Sequence, residues 1–214
     1  MSPVEQGETP VGWREQKKQQ TRLEICMAAR RLAVERGLDA MNVDDVSKAV
    51  GVSPRTFFNY YETKLDAVVG PVTEIGTPPS REVFVTGGPT GVLLADLVAL
   101  YSASYEPEEQ AREGISLVTQ LITTEPRVLA GFVAAGVKHE AALQELLRAR
   151  LGAAATPEFV SLTAGLMSAL TTRAAMSLAA HPDRSLATAL HEQSVMAARL
   201  FHHPADRRSD DRDD

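Results

Sequence analysis

Apolar and polar positions follow a helical period along most of this chain, and turn-forming residues divide the pattern into segments. Between residues 42 and 64 the pattern predicts two short helices joined by a tight turn. Asn42, with Asp45 three residues later, is typical of a helix N-terminus. Gly51 stands where the first helix must end and the chain must turn, and Ser53 followed by proline begins the next helix. These signals predict a helix-turn-helix motif.

The second helix of this motif carries polar side chains on its outer face, while Val52 and Phe57 are predicted to face inward. Arg55 can hydrogen-bond guanine and Asn59 can pair with adenine in the major groove of DNA. Hydroxyl groups and helix N-termini on the same face suit phosphate oxygens. The motif residues predicted to contact duplex DNA are Asn42, Ser53, Pro54, Arg55, Thr56, Asn59 and Tyr60.

The distribution of charge agrees with a nucleic-acid partner. The chain has 214 residues and a net charge of −6, but residues 14–64 hold ten Lys and Arg against seven Asp and Glu. A basic segment on an acidic body is the electrostatic pattern expected of a DNA reader. Lys17, Lys18 and Arg22 are candidates for following a groove, and an ordinary solvated surface is the alternative for the two lysines.

Together with the preceding segment RLEICMAARRLAVERG, the motif resembles the DNA-binding domain of the TetR family of transcriptional regulators over about residues 17–68. The matching residues are Ile25, Ala28, Ala29, Leu32, Gly37, Val43, Val46 and the segment GVSPRTFFNYYETK at 51–64. The sequence departs from the family pattern at Asn42, Val50 and Phe58, where the family usually has Thr or Ser, Ala and Tyr. The resemblance adds Phe58, without the tyrosine hydroxyl, and Lys64, as a phosphate clamp, to the predicted DNA contacts.

The rest of the chain also shows helical patterning, which predicts an all-α fold. The resemblance implies an N-terminal three-helix DNA-binding domain and a C-terminal helical domain for ligand binding and dimerisation. The predicted boundaries are a flexible arm at 1–15, the DNA-binding domain at 16–69, the helical body at 70–203 and a disordered tail at 204–214. A helix beginning near Lys64 meets Gly70 and Pro71 almost at once, which is a departure from the longer family helix.

Helices are predicted in the body at about 91–104, 107–123, 126–151, 157–180 and 185–202. Segment 70–91 is rich in Gly, Pro and Thr, and within it residues 81–85 have the composition of a strand fragment. The positions predicted to face inward on the two middle helices are Ala111, Ile115, Val118, Ile122, Leu129, Phe132, Val133, Gly136, Leu143 and Leu147.

The segment at 158–180 is apolar nearly all round, so it must be covered on every side. A second subunit could cover one side, and a core helix of a monomer is the alternative. The TetR resemblance favours a homodimer formed through the helices at about 158–180 and 185–202.

The apolar body and the resemblance together imply a small, largely apolar effector that controls binding to a palindromic operator, most simply by releasing a repressor. Candidate residues for the wall of its cavity are Tyr101, Tyr105, Phe132, His139, Phe159 and Met167. A constitutive DNA-binding adaptor whose body binds a protein partner is the alternative function.

Several other classes of protein are disfavoured by the sequence. Motifs for nucleophilic catalysis, metalloprotease zinc, P-loop phosphate binding and dinucleotide binding are missing, so no enzyme activity, cofactor or metal is predicted. One cysteine, Cys26, excludes an internal disulfide and points to a buried thiol rather than a redox centre. The longest charge-free apolar run has only 14 residues, at 159–172. Without a recognisable signal peptide, the sequence predicts a cytoplasmic protein that does not enter a membrane.

Overall fold

The computed structural model describes residues 10–71, 74–105, 108–181 and 183–200, and these residues form α-helices with no strand among them. In chain order the helices are α1 (Pro10–Arg36), α2 (Val43–Val50), α3 (Pro54–Phe58), α4 (Lys64–Val69), α5 (Pro78–Val85), α6 (Leu93–Ser102), α7 (Glu108–Thr124), α8 (Pro126–Leu151), α9 (Pro157–Ala180) and α10 (Leu186–Ala198). The predicted all-α class is confirmed. The helices form two compact units, and the division between them falls within α7 and α8.

The first unit combines α1–α4 with residues 116–136. Its core contains Ile25 and Ala29 of α1, Phe57 of α3, and Leu121 and Val128 from the later segment. This structural unit therefore includes part of the predicted helical body, and the boundaries at 16–69 and 70–203 remain predictions.

Helix α1 begins at Pro10, so it includes residues 10–15 of the predicted flexible arm. Proline is favoured in the first turn of a helix because its missing N–H has no intrahelical partner there. Residues 1–9 and the predicted tail at 204–214 lie outside the described residues.

Apolarity alone predicts a buried face of α2 formed by Val43, Val46, Ala49 and Val50, and the structure differs from this at one position. Val46 and Ser47 are buried, with Val43 and Val50 packed at the edge of the core, whereas Ala49 is exposed. The spacing 43, 46, 47 and 50 is the usual helical stripe. A small polar residue occupies one place in that stripe, which is why apolarity alone selected alanine instead.

Helix α4 is only six residues long and ends at Gly70, whose φ of 89° lies in the left-handed region that favours glycine. The guanidinium of Arg30 satisfies the free carbonyls at this end, with Nε 2.8 Å from the Val68 oxygen and Nη2 2.9 Å from the Val69 oxygen. A Cβ added at Gly70 would lie 2.8 Å from the Sγ of Cys26. Helix α4 therefore ends at a capped glycine and does not continue through a kink at Pro71.

The part of α8 in the first unit packs through Val128, Gly131 and Ala135. A Cβ at Gly131 would come within 2.8 Å of Val69, so glycine permits a close approach to α4. The predictions that Leu129, Val133 and Gly136 face inward are wrong, since all three are exposed. Apolar residues occupy two neighbouring stripes here, and the sequence pattern does not distinguish them.

The second unit begins with α5, where the strand proposed at 81–85 is wrong. Thr77 accepts a hydrogen bond from the Ser80 backbone N–H at 3.3 Å, and the Thr77 N–H donates to the Ser80 hydroxyl at 2.8 Å. This reciprocal cap, together with Pro78 in the first turn, favours a helix more strongly than the later residues favour a strand. Phe84 of α5 is buried in the core of this unit.

Helices α9 and α10 pack against each other and form much of the second unit's core. Leu143 and Leu147 are buried as predicted. Helical spacing also predicts one inward face of the last helix, and of its residues Leu186, Leu190 and Ala197 are buried while Phe201 lies outside the described residues. Both helices keep a second, exposed side with small and apolar residues. The exposed residues on that side are Leu162, Gly165, Ser168, Ala169, Met176, Val195, Met196 and Leu200.

Candidate nucleic-acid interface

Helix α2 begins as the sequence predicts. The Asn42 side chain accepts a hydrogen bond of 2.8 Å from the Asp45 backbone N–H. The Asp45 carboxylate does not complete a capping box, because it pairs with the Arg36 guanidinium at 3.1 Å. The pair ties the end of α1 to the first turn of α2 and adds a negative group at a helix N-terminus, where it is favourable.

The turn between α2 and α3 depends on Gly51, whose φ of 75° is left-handed and whose N–H closes the end of α2. Ser53 then accepts a hydrogen bond of 3.0 Å from the Thr56 N–H, and Pro54 occupies the first turn of α3. The Thr56 hydroxyl lies 2.8 Å from the Ser53 hydroxyl. The two hydroxyls therefore already take part in the cap, and Thr56 is half-buried.

Helix α3 has one buried side and one exposed side. Phe57 is 0% exposed at the centre of the first unit's core, whereas Arg55, Phe58 and Asn59 are exposed. Tyr60, predicted on the outer face, lies in the turn after α3, where it is half-buried and packs against the same core. Arg55 and Asn59 are four positions apart and share one outer face.

Lys64 lies at the start of α4, where the Thr63 side chain caps the helix. Its ammonium donates hydrogen bonds to the backbone oxygens of Asp39 at 3.1 Å and Met41 at 2.9 Å. The side chain thus holds the connection between α1 and α2 in place. This internal role was not predicted, and the phosphate contact inferred from the family resemblance remains a prediction.

The cations of α1 have different surroundings. Lys17 and Lys18 are exposed, and the Lys17 ammonium lies 5.1 Å from the Trp13 ring centroid. Arg22 is half-buried with its guanidinium 5.8 Å from the Tyr61 ring centroid, and the Tyr61 hydroxyl donates to the Arg22 backbone oxygen. Because Arg22 is half-buried against the buried Tyr61, it is positioned more firmly than the two exposed lysines.

The six candidates for an effector cavity are not brought together as a set. In the second unit Tyr101 is buried with its hydroxyl 2.7 Å from His139 Nε2, and Met167 is buried in the same core. Phe159 is exposed, and the Tyr105 side chain lies outside the described part of the chain. Phe132 packs instead in the first unit. Tyr101, His139 and Met167 are the remaining candidates for an internal site.

The second unit also contains a buried ion pair that the sequence did not reveal. Asp96 is 0% exposed, and its carboxylate accepts from Arg150 at 2.6 Å, from the Thr90 hydroxyl at 2.6 Å and from the Thr90 N–H at 2.7 Å. Arg150 also donates to the backbone oxygens of Phe84, Gly87 and Gly88. Burial raises the pKa of Asp96, but these hydrogen bonds outweigh it, and the net effect is to lower the pKa.

Two negative findings apply to the described residues only. They contain no group of three or more His, Cys, Asp or Glu side chains placed to hold a metal ion. None of the described helices has the length and apolarity needed to cross a bilayer.

Residues 25–66 match the family model described as bacterial regulatory proteins, tetR family. A putative TetR-family transcriptional regulator structure from Rhodococcus sp. has a TM-score of 0.50 at 14% identity, covering 85% of this chain and 98% of that one. FadR from Thermus thermophilus, a TetR family transcriptional repressor solved with lauroyl-CoA, has a TM-score of 0.44 at 24% identity, covering 84% and 92%. No match was found among curated protein sequences.

The capped helices, the left-handed glycine turn and the polar outer face of α3 form a helix-turn-helix motif. The family match covers the same residues from α1 to the start of α4. Over these residues the chain is similar to the TetR family.

Proposed function

We propose that this chain is a homodimeric transcriptional regulator that binds a palindromic operator through α3 and is released from it by a small, largely apolar ligand. The observation that carries the proposal is the exposure of Arg55 and Asn59 on one side of a helix whose other side is fixed by Phe57. Arginine and asparagine are the side chains best suited to guanine and adenine edges.

Selection of bound sequences from a random DNA pool tests the proposal directly. A palindrome with half-sites one helical turn apart, about 34–36 Å, is expected from a two-fold dimer of such motifs. Failure of the purified protein to enrich any sequence at low salt contradicts it.

Replacing Arg55 with alanine should weaken operator binding by about 1–3 kcal/mol and relax the choice of base at one position of each half-site. The reason is that a bidentate contact to guanine is lost while the fold is untouched, since Arg55 is exposed. Fluorescence anisotropy with single-base operator variants measures both effects.

Lys18→Ala is the matched control for Arg55→Ala, because it removes one exposed cation from α1. It should weaken all sequences alike and reduce the salt dependence by about one charge. Equal loss of base preference in both variants would show that Arg55 does not read a base.

The dimer proposal rests on the exposed side of α9 and α10. Leu162 is 73% exposed and Met176 is 70% exposed, while Gly165 and Ala169 between them allow close approach of another helix. Two such helices from each subunit would form a four-helix interface. An apolar side of this kind is stabilised by burial against a copy of itself across a two-fold axis.

Leu162→Arg should convert the dimer to monomers and reduce operator affinity by about 100-fold or more, because each half-site is then bound alone. Sedimentation velocity measures the assembly state. Val92→Arg, at a comparably exposed valine outside α9 and α10, should leave both properties unchanged. Dimers that persist in Leu162→Arg would place the interface elsewhere.

The ligand part of the proposal rests on the hydrogen bond between Tyr101 and the part-buried His139, beside a largely apolar core that includes Met167. Apolar sites with a few fixed polar groups are typical of small-molecule pockets. A ligand that favours the form unable to bind DNA would weaken operator affinity by the coupling free energy, typically about 1–3 kcal/mol.

A constitutive adaptor is the second candidate, favoured by the exposure of Leu129 and Val133 on α8. The operator affinity of an adaptor would be the same with and without small molecules. Titration of an apolar ligand panel into the protein–operator complex separates the two candidates.

A further inference from the structure

Phe58 is an exposed aromatic residue on the outer side of α3. Its side chain is 56% exposed, whereas the adjacent Phe57 is 0% exposed. The two rings meet edge to face with centroids 5.4 Å apart, so the buried ring holds the exposed one in position. Leaving much of a phenyl ring in water is unfavourable, because its apolar surface stays hydrated.

The neighbours of Phe58 indicate what covers it. Arg55 precedes it by three positions and Asn59 follows it, and both are exposed. Residues three apart on a helix are neighbours, so the ring lies beside the two side chains proposed to read bases. A ring without a hydroxyl offers no hydrogen-bond donor to a phosphate oxygen. Its partner in a complex with DNA must therefore be an apolar group within reach of α3.

The major groove presents one apolar group, the C5 methyl of thymine. We infer that Phe58 contacts this methyl and makes the protein select thymine at one position of each half-site, beside the bases that Arg55 and Asn59 contact. The inference rests on the proposed DNA-binding function and adds an apolar contribution to specificity. Removal of one methyl from an apolar contact corresponds to about a fourfold loss of affinity per half-site.

The test uses the full-length protein and the operator recovered by selection. Each thymine is replaced in turn by deoxyuridine, symmetrically in both half-sites, which removes the methyl and keeps the base pairing. For the wild-type protein we expect one position where the exchange weakens binding about fourfold per half-site, or about sixteenfold in all. For Phe58→Ala we expect the same exchange at that position to have no effect.

Phe58→Tyr serves as the matched variant, because it keeps the ring and should keep the discrimination between thymine and uracil. The inference is overturned if Phe58→Ala retains the wild-type pattern of uracil penalties, which would assign the ring to sugar and backbone contacts. It is also overturned if no position shows a penalty in the wild type. Failure of the wild type to bind any selected sequence is a different result, since it refutes the proposed function itself.

Discussion

Asp96→Asn should lower the free energy of unfolding by about 3 kcal/mol, the lower end of the range for breaking a buried ion pair. The Asp96 carboxylate accepts hydrogen bonds on both oxygens, from Thr90 on one and from Arg150 on the other. An asparagine amide would turn a donor towards one of these donors, and Arg150 would keep a buried charge without its partner. Urea unfolding followed by circular dichroism at 222 nm measures the loss.

Two arginines on α8 provide the comparison for Asp96→Asn. Arg150 is nearly buried and joins Asp96 to the backbone of the segment after α5, whereas Arg148 is exposed two positions away. Arg150→Met should cost as much as Asp96→Asn, and Arg148→Met should change stability by less than about 0.5 kcal/mol. Similar values for the two arginine variants would contradict the assigned role of the pair.

The contribution of Asp96 to the free energy of unfolding also depends on pH. Because the pKa of Asp96 is lowered in the folded protein, its stabilising effect is present above the unfolded value of about 3.9 and is lost as the pH falls through the folded value. The difference in stability between the wild type and Asp96→Asn should therefore be full at pH 7 and shrink below about pH 4. A difference that is constant down to pH 3 would exclude an ionised Asp96 as its source.

Phe57→Ala should cost about 3–5 kcal/mol of stability, because it empties a fully buried aromatic site at the centre of the first unit. The loss is a large part of the 5–15 kcal/mol that stabilises a typical domain. Since α3 has only five residues and is held mainly by this side chain, we expect DNA binding to be lost as well.

Phe58→Ala is the control for Phe57→Ala, since it removes the same group one position along the helix where the ring is exposed. Its unfolding free energy should stay within about 0.5 kcal/mol of the wild type. Circular dichroism and operator anisotropy on both variants separate loss of fold from loss of contact. Equal destabilisation by the two changes would mean that α3 is not anchored through Phe57.

The helix-turn-helix could be predicted from sequence because its signals are local. The caps at Asn42 and Ser53 and the left-handed Gly51 each depend on residues within one turn of the chain. Such signals do not require knowledge of what packs elsewhere. The outer position of Arg55 and the inner position of Phe57 followed from helical period alone.

Features that depend on distant residues were missed. Lys64 bonds to carbonyls 23 and 25 positions earlier in the chain, and Asp96 pairs with a residue 54 positions later. Neither contact can be recognised from the residues that surround Lys64 or Asp96 in the sequence. On α8 two adjacent stripes are both apolar, so only the contacts of Gly131 and Val128 in the folded unit decide which one is inside.

The reactivity of Cys26 can report on the opening of the first unit. It is the single cysteine of the chain, it is 1% exposed, and burial raises the pKa of its thiol. A buried, protonated thiol does not react with ordinary thiol reagents, because the thiolate is the reactive form. Alkylation of the native protein therefore requires α1 and the end of α4 to separate. Because the chain contains no other cysteine, the rate of alkylation measures how often the helix-turn-helix unit opens.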